Sequence, residues 1–161
     1  MSAVRGLFLL CFTLVACHLA AQDATPLRGV KAVQVDATIV PNPEKVKEAS
    51  APTLVQDSLK GAIRFTDIAI VESAPIRAHL VLEEFTSGNT AKRVLIGMGA
   101  GRSTVTCRLV VQGADGKELS NTKIHVRGNL EWSPYEGNTT QRKQAVSSFQ
   151  QKLIEAIEKL K

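Results

Sequence analysis

The residues best suited to chemistry in this chain are few, and their spacing argues against most of it. Gly97-Met98-Gly99-Ala100-Gly101, followed by Arg102, has the glycine density of a phosphate-binding loop. Such a loop needs a strand before it and a helix N-terminus after it, so that free amides and the helix dipole converge on the anion. Here a β-branched run from Ser103 to Val111 follows, and no Gly-Lys-Ser/Thr ending is present. Gly97, Gly99, Gly101 and Arg102 therefore read as a backbone bend, or as a small-residue surface for a partner or a second copy. His79 and His125 have no His, Cys or Glu at metal-ligand spacing and read as outward-facing strand residues. Glu72, Glu83 and Glu84 could pair for acid–base work, but strand alternation sends Glu83 and Glu84 to opposite faces. The serines lack a nucleophile elbow. No catalytic residue, metal site or cofactor is expected. Trp132 and Tyr135, on either side of Pro134, use two of the chain's few aromatic residues. They read as a lid over the sheet edge and, with Arg127, form the candidate ligand platform.

The N-terminus bears on compartment. Met1 to Arg5 is short and positively charged, and the apolar run Gly6–Ala16 is shorter than the roughly 20 residues needed to span a bilayer. That pattern reads as a secretory signal peptide. Leu14-Val15-Ala16-Cys17 resembles the lipobox of bacterial lipoproteins, in which cleavage leaves the cysteine first and acylated. The resemblance implies residues 1–16 as signal peptide, Cys17 as the lipidation site, and a membrane partner through the acyl chains. The competing cut, near Ala20-Ala21-Gln22, would give a soluble periplasmic protein, although Leu19 is not the small residue such a site prefers. An Asp at the second mature position would hint at inner-membrane retention; His18 stands there and favours the outer membrane. Cys11 leaves with the signal, so Cys107 remains as a lone thiol that makes no disulfide and fits a strand's inner face.

The 161 residues suit one domain, and 44% hydrophobic with 22% charged residues is ordinary for a globular chain. The formal net charge is +5, part of it Arg5. Basic residues alternate with acidic ones without interleaved aromatics, which argues against nucleic acid and leaves anionic lipid or envelope polymer.

Residues 17–28 read as a polar tether and 29–161 as one domain. The run to Val40 reads as a first strand, stopped by Pro41-Asn42-Pro43, and Glu44–Ser50 as a loop or weak helical turn. Ser50 or Ala51 would cap a helix with Pro52 in its first turn, and Leu54, Val55, Leu59, Ala62 and Ile63 form its apolar face. Gly61 in that helix suggests close packing against a strand. Phe65 and Ile68–Val71 read as a second strand, Ile76–Phe85 as a third. Thr104 to Val111 alternates as a fourth, and Asp115-Gly116 turns into a fifth that carries Ile124 and Val126 inward. A last helix from about Thr140 to Leu160 shows Val146, Phe149, Leu153, Ile157 and Leu160 on one stripe. The expected fold class is α+β: a mixed, mostly antiparallel five-stranded sheet in β-α-β-β-β-β-α order, with two helices on one face.

Arg93-Val-Leu-Ile-Gly-Met-Gly-Ala-Gly101, a strand, and then Gly116-Lys-Glu-Leu119 resemble the bacterial domain-of-unknown-function family 4410. More distantly, the chain is similar to the α/β domain of the curli-secretion lipoprotein and to the N-terminal domain of the Tol translocation protein. The resemblance implies an exported protein or lipoprotein and brings no catalytic residues. The curli protein's membrane-spanning hairpins have no counterpart here, which argues against pore formation. The expectation is a non-enzymatic binding or assembly module of the cell envelope, with an envelope protein or a second copy as partner. The alternative is a soluble periplasmic domain that binds a small molecule or glycan.

Overall fold

A sheet with one apolar face must bury it against something, and here both helices lie on that face. The computed structural model describes residues 25–89, 101–128 and 138–161. Five strands run in the spatial order β2-β1-β3-β4-β5. They are β1 (Ala32–Val35), β2 (Ala69–Ile70), β3 (Arg77–Thr86), β4 (Thr104–Gln112) and β5 (Glu118–Arg127). Helix α1 (Ala51–Arg64) connects β1 to β2, and helix α2 (Asn138–Leu160) follows β5. β1 is parallel to both β2 and β3; β3–β4 and β4–β5 are antiparallel. This is the α+β class and element order the sequence implies.

Alternation decides which way each strand faces. In β4, Val105, Cys107, Leu109 and Val111 turn inward and are buried, and in β5 Ile124 and Val126 do the same. Onto this face α2 lays Phe149, Leu153 and Ile157, and α1 lays Val55, Leu59 and Ile63. Cys107 is wholly enclosed, and burial pushes its thiol pKa far up, so it is an inert space-filler. At Gly116, φ is 76°, as the tight turn between β4 and β5 requires.

Four local features differ from the sequence reading, each for a physical reason. β1 ends at Val35; the chain then leaves the sheet and returns to the edge of β3 through single bridges at Ile39–Val81 and Val46–Phe85, with one 3-10 turn at Pro43–Lys45 between them. Phe65 is not in a strand. Its N–H is still held by the last turn of α1, 3.2 Å from the Ala62 carbonyl, and its ring is 73% exposed. Gly61 makes a close approach to the other helix, not to a strand: a Cβ there would lie 2.7 Å from Gln150 Nε2. Leu27, within the stretch read as a tether, belongs to the core, and its N–H donates to the Leu160 carbonyl at 2.8 Å.

Phe149→Ala is expected to cost about 3–5 kcal/mol in denaturant unfolding, because the ring lies wholly inside the core. Gly61→Ala should instead raise stability, by up to about 1 kcal/mol. The Gln150 amide that it would meet is the free end of a flexible side chain, so a loss of stability would mean that the helices cannot accommodate a single methyl.

Candidate functional site

The strands' outward positions build a polar surface on the sheet face opposite the helices. Its rows follow from register: His79, Val110 and Asn121; then Val81, Arg108 and Lys123; then Glu84, Thr106 and His125; then Thr86, Thr104 and Arg127. Between the second and third rows, the β3–β4 register shifts by one residue, leaving Glu83 as an extra residue in β3. This bulge changes what the two glutamates do. An unbroken strand would separate them, whereas here Glu83 and Glu84 border the same shallow hollow with Lys45, Thr106, Lys123 and His125. It also keeps Phe85 in the core, at 1% exposure.

Glu83 in this hollow is already engaged by two cations. Glu83 Oε1 lies 2.9 Å from Arg108 Nε, and Glu83 Oε2 lies 3.3 Å from Lys123 Nζ. Thr106 Oγ1 and His125 Nδ1 share a hydrogen bond of 2.8 Å. A carboxylate held between two cations is a poor general base, and no group of three or more His, Cys, Asp or Glu among the described residues could hold a metal ion. The surface therefore presents Glu83 as a neutralised group between two cations.

His79 departs from the expectation of a surface histidine, being only 7% exposed. β3 is flanked on both edges, by β1 and the Ile39 bridge on one side and by β4 on the other, so its outer-face side chains lose water to both neighbours. Burial lowers the pKa of His79, and the charges of Asp36 and Glu118 only partly oppose this.

Two stretches that the sequence singles out separately leave from the same end of the sheet. Asn89 N–H donates to the Gly101 carbonyl at 2.7 Å, Ser103 Oγ to the Ser87 carbonyl at 2.7 Å, and Gly128 N–H to the Ser103 carbonyl at 2.8 Å. The base of the glycine-rich bend and the end of β5 are therefore adjacent. Gly101 takes φ of 71°, as a bend would need. Thr86 Oγ1 donates to the Arg102 carbonyl at 3.4 Å, and Arg127 is exposed on the outward face at the end of β5. Gly97, Gly99, Trp132, Tyr135 and the lipidation candidate Cys17 lie outside the described residues.

Sequence reasoning did not resolve which groups of β5 are unpaired. The bond from Gly128 to Ser103 identifies them. Hydrogen-bonded pairs alternate along an antiparallel ladder, so Val126, Ile124, Thr122 and Ser120 point their backbone polar groups at β4. Arg127, His125, Lys123 and Asn121 point theirs away from the sheet. β5 is ten residues long, and among the described residues no strand pairs with that edge.

No family model matches the chain, and no curated protein does. Solved structures of the same fold do. A single-substitution variant of PelC from Paraburkholderia phytofirmans, a dodecamer, is 13% identical, with a TM-score of 0.56 over 84% of this chain and 89% of that one. A DUF330 protein from Xanthomonas campestris is 11% identical, with a TM-score of 0.55 over 80% and 82%. At these identities the likeness is one of fold, shared with a family of unknown function.

The buried His79 sets a pH dependence. Its folded-state pKa lies below the ordinary 6.5, so between the two values the unfolded chain binds the proton more readily. The stability it contributes is complete above 6.5 and is lost as pH falls through the folded-state value. Urea midpoints should therefore drop from pH 7.5 to 5.5, and drop less in His79→Gln. An identical pH slope in the variant would remove His79 as the cause.

Proposed function

We propose that this chain is an exported envelope lipoprotein, anchored through acyl chains on Cys17, whose domain is a non-enzymatic binding or assembly module. The observation that carries the reading is the outer edge of β5, which no strand among the described residues covers and along which four residues point their backbone groups away from the sheet, at the rim of a charged face. Edge strands with free amides and carbonyls accept a further strand, from a partner or from a second copy. Several other features support it. PelC, which has the same fold, forms a dodecamer. The lipobox-like Leu14–Cys17 fits the exported lipoproteins of family 4410, and the paired charges of the outer face suit docking better than proton transfer. The distant similarity to the curli and Tol domains points the same way.

Two measurements test the two halves of the proposal. The intact mass of the mature protein recovered from cells should correspond to a chain starting at Cys17 plus acyl chains, and Cys17→Ser should lose them. An unmodified chain starting near Gln22 would make the protein a soluble periplasmic domain instead. For the edge, Asn121→Pro removes a donor that points away from the sheet, and a proline is tolerated there. It should leave the melting temperature within a few degrees of wild type while shrinking the assembly recovered from detergent-extracted envelopes. Thr122→Pro removes a ladder bond instead and should cost about 1–3 kcal/mol more. Unchanged assembly in a folded Asn121→Pro protein would eliminate strand addition.

A further inference from the structure

The end of the sheet opposite the glycine-rich bend carries an excess of positive charge. Leu27 is joined to Leu160 there, which sets exposed Arg28 beside Lys159 and Lys161 at the end of α2. Lys31, also exposed, accepts through its carbonyl the N–H of Ala69 at 2.9 Å, at the start of β2. Lys60 and Arg64, one turn apart on α1, border a surface hollow with Ile68, Ala69 and Ile70 of the same region. Among these six basic side chains stand Asp67 and Glu158, the latter engaged with Lys161 at 3.4 Å. Glu155 also stands there, held by Lys152 at 2.8 Å and acted on by the charge of Lys159, so the cations remain in excess. Beside Arg64, at the tip of α1, stands Phe65 with 73% of its surface exposed.

Helix ends account for part of this arrangement. Arg64 and Lys159 lie in last turns, where a cation complements the helix dipole. Nothing about helices calls for Arg28 and Lys31, which precede β1, or for an exposed aromatic ring after Arg64. Basic side chains around an exposed apolar ring are the chemistry of a surface resting on anionic lipid headgroups, the cations meeting phosphate and the ring the acyl boundary.

We infer that this basic, Phe65-tipped end docks on an anionic lipid surface and sets the orientation of the domain on its membrane. The inference rests on the reading of Cys17 as the anchor, and chain length connects the two. The stretch 17–27 reaches at most roughly 35 Å when fully extended, so an acylated Cys17 would keep this end within reach of the headgroups. Docking there turns the opposite end, with the bases of the glycine-rich bend and the end of β5, away from the membrane. One acyl anchor with a basic patch beside it is also a two-signal arrangement that holds a protein more firmly than either alone.

The test separates patch from anchor. The mature chain from residue 17, made with Cys17→Ser so that it carries no lipid, is sedimented with vesicles of phosphatidylglycerol and phosphatidylethanolamine, and with vesicles of phosphatidylcholine. Binding to the anionic vesicles only, weakening from about 0.05 to about 0.3 M salt, is expected. The triple variant Arg28→Glu, Lys31→Glu, Arg64→Glu should bind at least tenfold more weakly. The charge-matched triple Lys45→Glu, Lys47→Glu, Lys143→Glu, at the other end, should bind as wild type. Phe65→Ser should weaken binding without changing its salt dependence. Equal losses in the two triples, or no binding by the wild type, would overturn the inference and leave the acyl mass untouched. An unacylated native chain would overturn the anchor reading alone.

Discussion

Everything in this fold depends on burying one face of a sheet that has few aromatic residues to bury. Aromatics make up 4% of the chain, and Phe85 and Phe149 are the two that the described core encloses completely. The remainder of the core is aliphatic, and aliphatic cores gain stability through area. The two helices therefore lie side by side on the same face, and at Gly61 an added Cβ would meet the Gln150 amide of the other helix. With both helices committed to one face, the other is left to polar side chains. Its ion pairs are half-exposed, with Lys123 64% exposed, so they add little stability and shape what can dock there.

Most of this was legible from periodicity. The alternation in β4 and β5 assigned inward and outward residues correctly, because the helices cover only one face of those strands and apolar side chains collect there, although Thr106 and Val110 on the other face of β4 are also buried. The stripe of α2 and the Pro52 start of α1 were legible for equally local reasons. What escaped had no local signal. Leu27 looks like part of a polar tether, since its partner at Leu160 lies at the far end of the sequence. Phe65 looks like a strand residue because a large apolar side chain is ordinarily buried. His79 alternates as a surface residue would, and only the two-sided position of β3 in the sheet encloses it. The bulge at Glu83 leaves no trace in composition, yet it moves a glutamate to the other face. Of the candidate site, the outward faces of β3 to β5 could be read from alternation, while the pairing state of β5 required the register.

Functionally the domain has two ends and an edge. At one end lie the bases of the two chain segments that the sequence marks as unusual, and the other gathers cations around an exposed ring. Between them runs β5, whose outer edge, unpaired among the described residues, is fringed by Asn121, Lys123, His125 and Arg127. Two antiparallel copies centred on Lys123 would bring like charges together, so those side chains discourage one symmetric pairing while leaving others open. An edge with a built-in bias of this kind separates intended neighbours from accidental ones.

The joining of Leu27 to Leu160 also has a mechanical side. β1 begins a few residues beyond that contact and lies between β2 and β3, parallel to both. A pull on residue 25 along the strand axis, with the far end of the sheet held, loads the hydrogen bonds on both sides of β1 together, in shear. Bonds loaded in parallel yield only when several break at once, unlike a hairpin peeled open one pair at a time. The Leu27 N–H and its partner carbonyl on α2 bear the force first and pass part of it into the helix. A pull at this point is thus met by two rows of strand hydrogen bonds and a helix end together.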